Sequence, residues 1–497
     1  MEKRIAIKQE YLSIPIKVGE RNKLFEIFIE KEDEKEKLFE FQIPIGETGK
    51  NDYVGDYDVY LPVKQFIGQT LMLQGDMQEE FLTAVRNVSN QKHQEESSRP
   101  LLHFTPETGW MNDPNGLVYK DGVYHLYFQY NPFHIQWENM SWGHAVSTDL
   151  LHWEQKDTVL FPDETGTMFS GSGIVNEKGM LGLPQEALLF FYTAAGSSNI
   201  WSKGKDFGQY MAYSLDGGKT LVKTKKEVLT SVCKENRDPK VFWHEESKAY
   251  IMVLWLEKND FGIFRSIDLE NWNQTDKITL EQGFECPDLL KLFDQDGKEH
   301  WVFWSADGYY YWGEFDGYQF KTTGERQKAY MNEIPYAAQT YSGTVGRTIQ
   351  IPWLRIPNTG KKYTGAMGLP RELSVLCREE ERLLRQKPIR EIEEWKKSHA
   401  HMVSEYMDEN MQVSVICTDD KKFSVDKSNA CKGKYCWKID KLNVAYDMEK
   451  GFFTVGNKTL IIPQNIRDFL FIVDDDIFEV TADCDTIVGV FLLADPD

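Results

Sequence analysis

Residues 112–130 read NDPNGLVYKDGVYHLYFQY. A rigid polar turn, Asp113-Pro114 between two amides, is followed by an apolar run, a Lys-Asp-Gly turn and a second apolar run. Short runs rich in Val, Tyr and Phe on either side of a glycine turn are the signature of a β-hairpin. The same order recurs downstream. FSGSGIVNEKG leading into ALLFFYTA, then RDPKVFWHEESKAYIMVLW and CPDLLKLFDQDGKEHWVFWSA, repeat it, and YSGTVGRTIQIPWL is a degenerate fifth copy. The polar stations are Asp113, Ser170, Asp238, Asp288 and Ser342, roughly 50–70 residues apart. A period near about 50 residues with several strands per unit marks a β-propeller. Five stations predict five blades; a plain sandwich with fortuitous similarity is the alternative. In a propeller the innermost strands converge on one axis, so stations distant in sequence meet at one end of the channel.

Upstream, YLSIPIKV, LFEIFIEK, LFEFQIPI and YDVYLPV alternate apolar and polar residues with strand period, while IGETGKND and EKEDEKEK read as turn or loop. Residues 1–90 are therefore expected to form a small antiparallel β-sandwich, with the polar stretch 91–100 as the linker to a propeller over 101–370. Beyond it, RELSVLCREEERLLRQKPIREIEEWKKS is charged and reads as a short helix or a linker. Alternating strands from MQVSVICT to TIVGVFLLA then predict a C-terminal β-sandwich within 371–497. The fold class expected for the whole chain is all-β.

Aromatic residues make up 13% of the 497 residues, with 14 Trp and 23 Tyr. Most will be core residues, but the richness also suits a sugar-binding cleft. The formal net charge of −21 argues against nucleic acid or anionic membrane as partners. Seven cysteines, an odd and thinly spread set, suit a reducing compartment. Cys431 and Cys436 form a lone C-x4-C without a second pair, so no zinc site is expected. The opening residues lack the apolar run of a signal peptide, and no stretch approaches the roughly 18 apolar residues of a membrane span. A cytoplasmic protein without metal or other cofactor is the expectation.

Three carboxylates stand out: Asp113 in NDPNG, Asp238 in RDPK and Glu285 in FECPD. Singly, each has a bland explanation, because Asp-Pro commonly starts turns and a glutamate can cap one. At related places in a repeat they form a constellation. The chemistry that wants two carboxylates and no metal is glycoside hydrolysis, where one acid attacks the anomeric carbon or organises water and the other protonates the leaving oxygen. Glu285, between Phe284 and Cys286, is the expected proton donor, since apolar surroundings raise a carboxyl pKa. Asp113, between the amides of Asn112 and Asn115, is expected to stay ionised as the nucleophile.

WMNDPNG, YFQYNP, WENMSWGHAVSTDLLHWE, MFSGSGIV, RDPKVFWHE and ECPDLL resemble, in order, the β-fructosidases of glycoside hydrolase family 32, which comprise invertases, exo-inulinases, levanases and fructan exo-hydrolases. The resemblance covers about 100–497. It implies a five-bladed propeller followed by a β-sandwich, and a retaining exo-β-fructosidase acting on fructans or fructo-oligosaccharides, with sucrose as a further substrate. It also implies roles. Asp113 matches the nucleophile, Glu285 the acid/base, and Asp238 with Arg237 the pair that holds fructose hydroxyls. Asn112, Gln129, Trp137, Phe169 and Ser170 match residues lining the fructose pocket, and Tyr336 and Trp353 match two more. The first 90 residues resemble, more loosely, a module joined to certain bacterial fructan exo-hydrolases; such a module can wall the cleft, pair two subunits as a homo-oligomer, or hold a polymer. In one place the pattern is broken: Ile334 stands where many members carry an aspartate two residues before the tyrosine. A lost polar group at the pocket rim predicts a preference for fructans over sucrose. Invertase and fructosyltransferase remain alternatives within the family, and a non-catalytic carbohydrate-binding propeller outside it.

Overall fold

Short β-branched and aromatic runs broken by Gly, Asp and Asn leave little room for helix, and the chain folds almost entirely as strands. The computed structural model describes residues 1–493 other than 32–33, 47–52, 93–98, 380, 419–422 and 426–432. The expected turn IGETGKND, most of the expected linker 91–100 and Cys431 lie wholly or largely outside the described residues.

Near the N-terminus, a sheet ordered Glu2–Ala6, Thr70–Gly75, Asn22–Lys31, Glu34–Pro44 accompanies a second ordered Tyr57–Pro62, Tyr11–Ile16, Arg86–Val88. Ile14, Phe25, Phe41, Leu73 and Phe81 are buried in one core. Phe133, from the next region of the chain, joins that core, its ring centroid 4.3 Å from that of Phe41. The charged run EKEDEKEK, expected as loop, carries strand on both sides of 32–33. Glu30 faces Lys35 and Lys31 faces Glu34 across the ladder, and Lys31 Nζ lies 2.6 Å from Glu36. Opposite charges paired across strands let a polar run stay extended.

Five antiparallel meanders follow. Their first strands are Gly109–Lys120, Thr167–Val175, Arg237–His244, Asp288–Phe293 and Pro335–Thr340, and each opens a run of four strands. Bonds between these first strands close a ring. Gly171 N donates to Asn115 Oδ1 (3.3 Å) and Ser172 Oγ to Pro239 O (2.8 Å). Lys240 Nζ pairs with Asp288 (3.2 Å), and Asp288 Oδ2 accepts from Thr340 N (2.9 Å) and Oγ1 (2.7 Å). The circle closes where Tyr119 N donates to Ser342 O (2.9 Å) and Ser342 N to Leu117 O (3.0 Å).

The fifth meander corrects two expectations. Ser342 follows its first strand instead of opening it, and the equivalent of the other stations is Ala337-Ala338. Residues 371–388, expected as helix or linker, are the hairpin Arg371–Arg378 and Glu381–Pro388 that completes this sheet, so it passes the boundary drawn at 370. Leu373, Val375 and Leu384 are buried there with strand period, a signal masked by the charged residues on the other face. Helix begins only at Glu391–Ser398.

Two further five-stranded sheets lie between Val403 and Leu492, with Val413, Trp437, Phe471 and Phe478 in their shared core. A buried charge network ties them to the preceding region. Asp474 accepts the backbone N–H groups of Leu101, Leu102 and His103 (2.7–2.9 Å) and His103 Nδ1 (2.7 Å). Glu479 takes His103 Nε2 at 3.1 Å and Arg371 Nη2 at 2.5 Å. Burial alone would lower the His103 pKa, but the hydrogen bonds and charges of Asp474 and Glu479 prevail and raise it to about 9. Burial opposes ionisation of Glu479, yet Arg371 and His103 bring its pKa down to about 2.

Candidate active site

The first strands of four sheets share a defect. Their pairing with the second strand slips between Met111 and Pro114, Met168 and Gly171, Arg237 and Lys240, and Tyr336 and Gln339. A β-bulge of this kind leaves residues out of the ladder and re-aims their side chains. It is also where a strand tolerates a proline, which has no N–H to give. Pro114 and Pro239 occupy these places, which explains why Asp-Pro recurs in the sequence. In the fourth sheet, Glu285-Cys286-Pro287 comes just before the strand. Asp238 (φ 66°), Glu285 (φ 51°) and Cys286 (φ 35°) all adopt left-handed backbone. Such conformations cost about 1–3 kcal/mol each and persist where the surroundings hold them. The Asp238 N–H is held by Thr193 Oγ1 at 3.1 Å. Gly116, at φ 53°, completes the NDPNG turn; a side chain there would meet the rings of Tyr127, Phe190 and Trp142.

The bulges at Asp113 and Asp238, with the left-handed turn at Glu285, bring the three acids together. Asp113 Oδ2 accepts Ser170 Oγ at 2.6 Å and Cys286 Sγ at 3.4 Å, and Oδ1 accepts Asn112 Nδ2 at 3.2 Å. Only one flanking amide therefore serves it, because Asn115 turns its oxygen to Gly171 instead. Asp238 Oδ2 accepts the Cys286 N–H (3.1 Å) and its thiol (3.4 Å). Glu285 is gripped by Arg237 Nη2 at 2.6 Å and by Tyr336 OH at 3.3 Å. The Arg237 guanidinium is stacked 4.0 Å from the ring of Trp255 and lies 5.7 Å from that of Phe284.

Three carboxylates thus surround one fixed cation. Burial raises the Glu285 pKa, with Arg237 opposing and the charge of Asp113 adding to the rise. Asp238 goes further: burial lifts it to about 7 against the pull of Arg237, aided by the charges of Glu285 and Asp113. The expected elevation at Glu285 is therefore present, but its cause is burial beside a salt bridge, not an apolar setting, and Asp238 shares it. Cys286 is pushed well above the ordinary thiol range by burial and the neighbouring acids, so it stays a donor. Ligand atoms of Asp238, Glu285 and Cys286 lie within 4.8 Å of one another, a spacing a metal ion can use. Arg237 supplies positive charge at this place, and the neutral Cys286 thiol a hydrogen-bond donor.

The residues expected to be catalytic or substrate-binding, Asn112, Asp113, Gln129, Trp137, Phe169, Ser170, Arg237, Asp238, Glu285, Tyr336 and Trp353, all line one cleft of about 730 Å³. Asn112, Asp113 and Ser170 form its acid-bearing floor with Arg237, Asp238 and Glu285, and Gln129 is fixed there by donating to Met168 O at 2.9 Å. Half-exposed Trp137 packs edge-on against Phe169 (6.0 Å), and Tyr336 against Trp353 (6.2 Å). The sequence reading missed Ser197, Ser198 and Phe207, which line the same cleft, Phe207 packing on Phe169 at 5.6 Å. The signal was topological. In an antiparallel meander the loop after the second strand lies at the end where the first begins, and Ala195 pairs with Thr167.

Ile334 is corrected. It does not line this cleft but packs against the cluster of Leu354, Ala366, Ile477 and Val490, at the seam with the C-terminal sheets. The Arg355 guanidinium lies 4.5 Å from the Tyr336 ring.

A family model described as "Glycosyl hydrolases family 32 N-terminal domain" matches residues 103–388. The chain is 34% identical over 343 residues to a levanase of Bacillus subtilis (strain 168), covering 62% of this chain and 49% of the levanase. It spans about half the length of the curated relatives it matches. The exo-inulinase of Aspergillus awamori superposes with a TM-score of 0.67 at 25% identity, over 79% of this chain and 92% of that one. A glycoside hydrolase family 32 structure from Bifidobacterium adolescentis has the same fold over 100% of this chain and 96% of its own, with a TM-score of 0.61 at 19% identity.

Proposed function

The chain belongs to glycosyl hydrolase family 32, and from that premise we propose that it is a retaining exo-β-fructosidase releasing terminal β-D-fructofuranosyl units from fructans and fructo-oligosaccharides, with sucrose as a further substrate. One observation carries the reading: bulges in two first strands and a left-handed turn before a third deliver Asp113, Asp238 and Glu285 to the cleft that holds Arg237. In the same reading the ring of five meanders is a five-bladed propeller, the sheets after it are a C-terminal β-sandwich, and the protein, whose six described cysteines form no disulfide, is cytoplasmic.

The mechanism follows from who donates to whom. Asp113 is held in place by Ser170 Oγ and Asn112 Nδ2, with the Cys286 thiol beside it. Its oxygen attacks the anomeric C2 of the terminal fructose. The bond from C2 to the glycosidic oxygen breaks, and Glu285, whose pKa is raised, gives that oxygen its proton. The leaving sugar departs and an ester joins C2 to Asp113. Glu285, now ionised and held by Arg237, takes a proton from water; the water oxygen bonds to C2 and Asp113 is released. Two displacements at one carbon give net retention. Asp238 accepts fructose hydroxyls and steadies charge developing on the ring.

Product analysis on sucrose, inulin and levan tests the reading, with fructose as the sole product from the polymers and β-fructose appearing before its mutarotated forms in proton NMR. Release of oligosaccharides, or of the α-anomer first, overturns it. Transfer of fructose to a second sugar in preference to water would favour the fructosyltransferase alternative.

A further inference from the structure

The cleft continues past Trp137. A second groove of about 600 Å³ adjoins it and shares Ser197 and Ser198 with it. Its far wall comes not from the five meanders but from the N-terminal sheets: Glu40, Phe41 and Gln42 of the edge strand Glu34–Pro44.

That wall is fixed to both loops that carry cleft residues. The Asn139 side chain imitates a strand partner, accepting Gln42 N at 2.7 Å and donating to Gln42 O at 2.8 Å. Its amide also donates to Asn131 Oδ1 at 3.2 Å, while Asn131 Nδ2 donates to Gln136 O at 2.9 Å, next to Trp137. On the other loop, Trp201 N donates to Glu40 Oε1 at 3.0 Å. Lys37 bridges Glu26 and Glu40 at 2.6 Å each and lies 5.3 Å from the Trp201 ring. The N-terminal sheets therefore hold the rim that bears Trp137 on one side and Ser197 and Ser198 on the other.

The tripeptide Trp137-Glu138-Asn139 steps from one space to the next. Trp137 lines the cleft, and Glu138 and Asn139 line the groove. Among the described residues Glu138 has no hydrogen bond and no ion pair, and burial raises its pKa. A half-buried carboxylate without a partner is costly unless something arriving in the groove donates to it. The rest of the lining is mostly uncharged and polar, with Thr167, Ser197, Ser198 and Asn199 among it. That combination fits a neutral, hydroxyl-rich chain.

We propose that this groove binds the sugar units of an oligosaccharide that lie beyond the leaving residue, with Glu138 accepting their hydroxyls and the N-terminal edge strand as the outer wall. This inference rests on the fructosidase reading. It assigns the N-terminal sheets a part in substrate choice, and it makes chain length the variable that the groove senses.

The test is kcat/KM across a series from disaccharide to pentasaccharide for the full chain and for Glu138→Gln. The wild-type protein should gain efficiency beyond the disaccharide. Glu138→Gln should cut the tetrasaccharide-to-disaccharide ratio about tenfold, the worth of one hydrogen bond to a charged group. Calorimetric binding to the inactive Asp113→Asn protein should likewise be tighter for the tetrasaccharide. Length-independent efficiency in the wild-type protein, or a Glu138→Gln loss equal on short and long substrates, overturns the inference while leaving the fructosidase reading intact. Failure to hydrolyse every substrate in the series overturns both.

Discussion

Two buried clusters in this protein use the same parts and do opposite things. The network at the C-terminal sheets sets Asp474 and Glu479 against His103 and Arg371, two acids against two cations. At the floor of the cleft Arg237 pairs with both Asp238 and Glu285, and Asp113 stands beside them. In the first, acids titrate below their ordinary range and the histidine above it. In the second, Glu285 and Asp238 titrate above theirs. Matched charges settle into fixed ionisation states and hold two regions together. Carboxylates crowded beside one guanidinium keep Glu285 and Asp238 protonated to higher pH than usual, which is what acid/base chemistry needs.

The largest effect should come from emptying the nucleophile's place. Asp113→Asn should lower kcat by roughly four or more orders of magnitude with little change in Tm, because water cannot occupy the same geometry. A variant that keeps more than about a tenth of the rate would remove Asp113 from the mechanism. Glu285→Gln should cost about 10²–10⁴-fold on natural substrates and far less on activated aryl fructosides, which need no proton. Equal losses on both would make Glu285 a binding group.

Breaking the matched cluster should instead cost stability. Replacing His103 by Ala leaves two buried acids facing one cation, a loss of about 3–5 kcal/mol by analogy with broken buried pairs. The pH dependence has a defined sign. The unfolded imidazole titrates near 6.5 and the folded one near 9, so the contribution of His103 is complete below 6.5 and disappears as pH rises through 9. Thermal scans of the wild-type protein should show Tm falling across that window, and the His103→Ala protein should lose that slope. A variant with an unchanged alkaline slope would show that His103 does not carry it.

How much of this was legible follows from what each element had to do. NDPNG, RDP and ECP announced themselves because an acid or thiol beside proline at a bulge has few substitutes. The all-β class was legible from period-two runs. Ala337-Ala338 occupies the fifth equivalent position and carries no polar mark, so Ser342 drew the eye instead. The hairpin Arg371–Arg378 and Glu381–Pro388 hid its period because its outer face is dense in charge. Glu138 was invisible for another reason: its meaning comes from a strand about a hundred residues earlier, brought alongside only by folding. Ile334 misled because a residue's neighbour in sequence, Tyr336, lines the cleft while Ile334 points its packing toward the seam with the C-terminal sheets.

The finest test exchanges the two arginines for glutamine and compares the outcomes. Arg371 lowers the pKa of Glu479, and Arg237 lowers those of Glu285 and Asp238. In the matched cluster, Arg371→Gln should leave the pH profile of activity in place and lower Tm, because the lost charge only held two regions together. In the cleft, Arg237→Gln removes the one cation opposing the rise of Glu285, so the proton donor stays protonated to higher pH. The alkaline limb of kcat/KM on sucrose should therefore move to higher pH, the direction that losing a neighbouring positive charge produces. Weaker substrate binding will lower the whole curve, but a uniform loss cannot move its limb. A limb that stays put would mean that Glu285 is not the group it reports, and one that moves downward would mean that Arg237 acts on the donor against the sign of its charge.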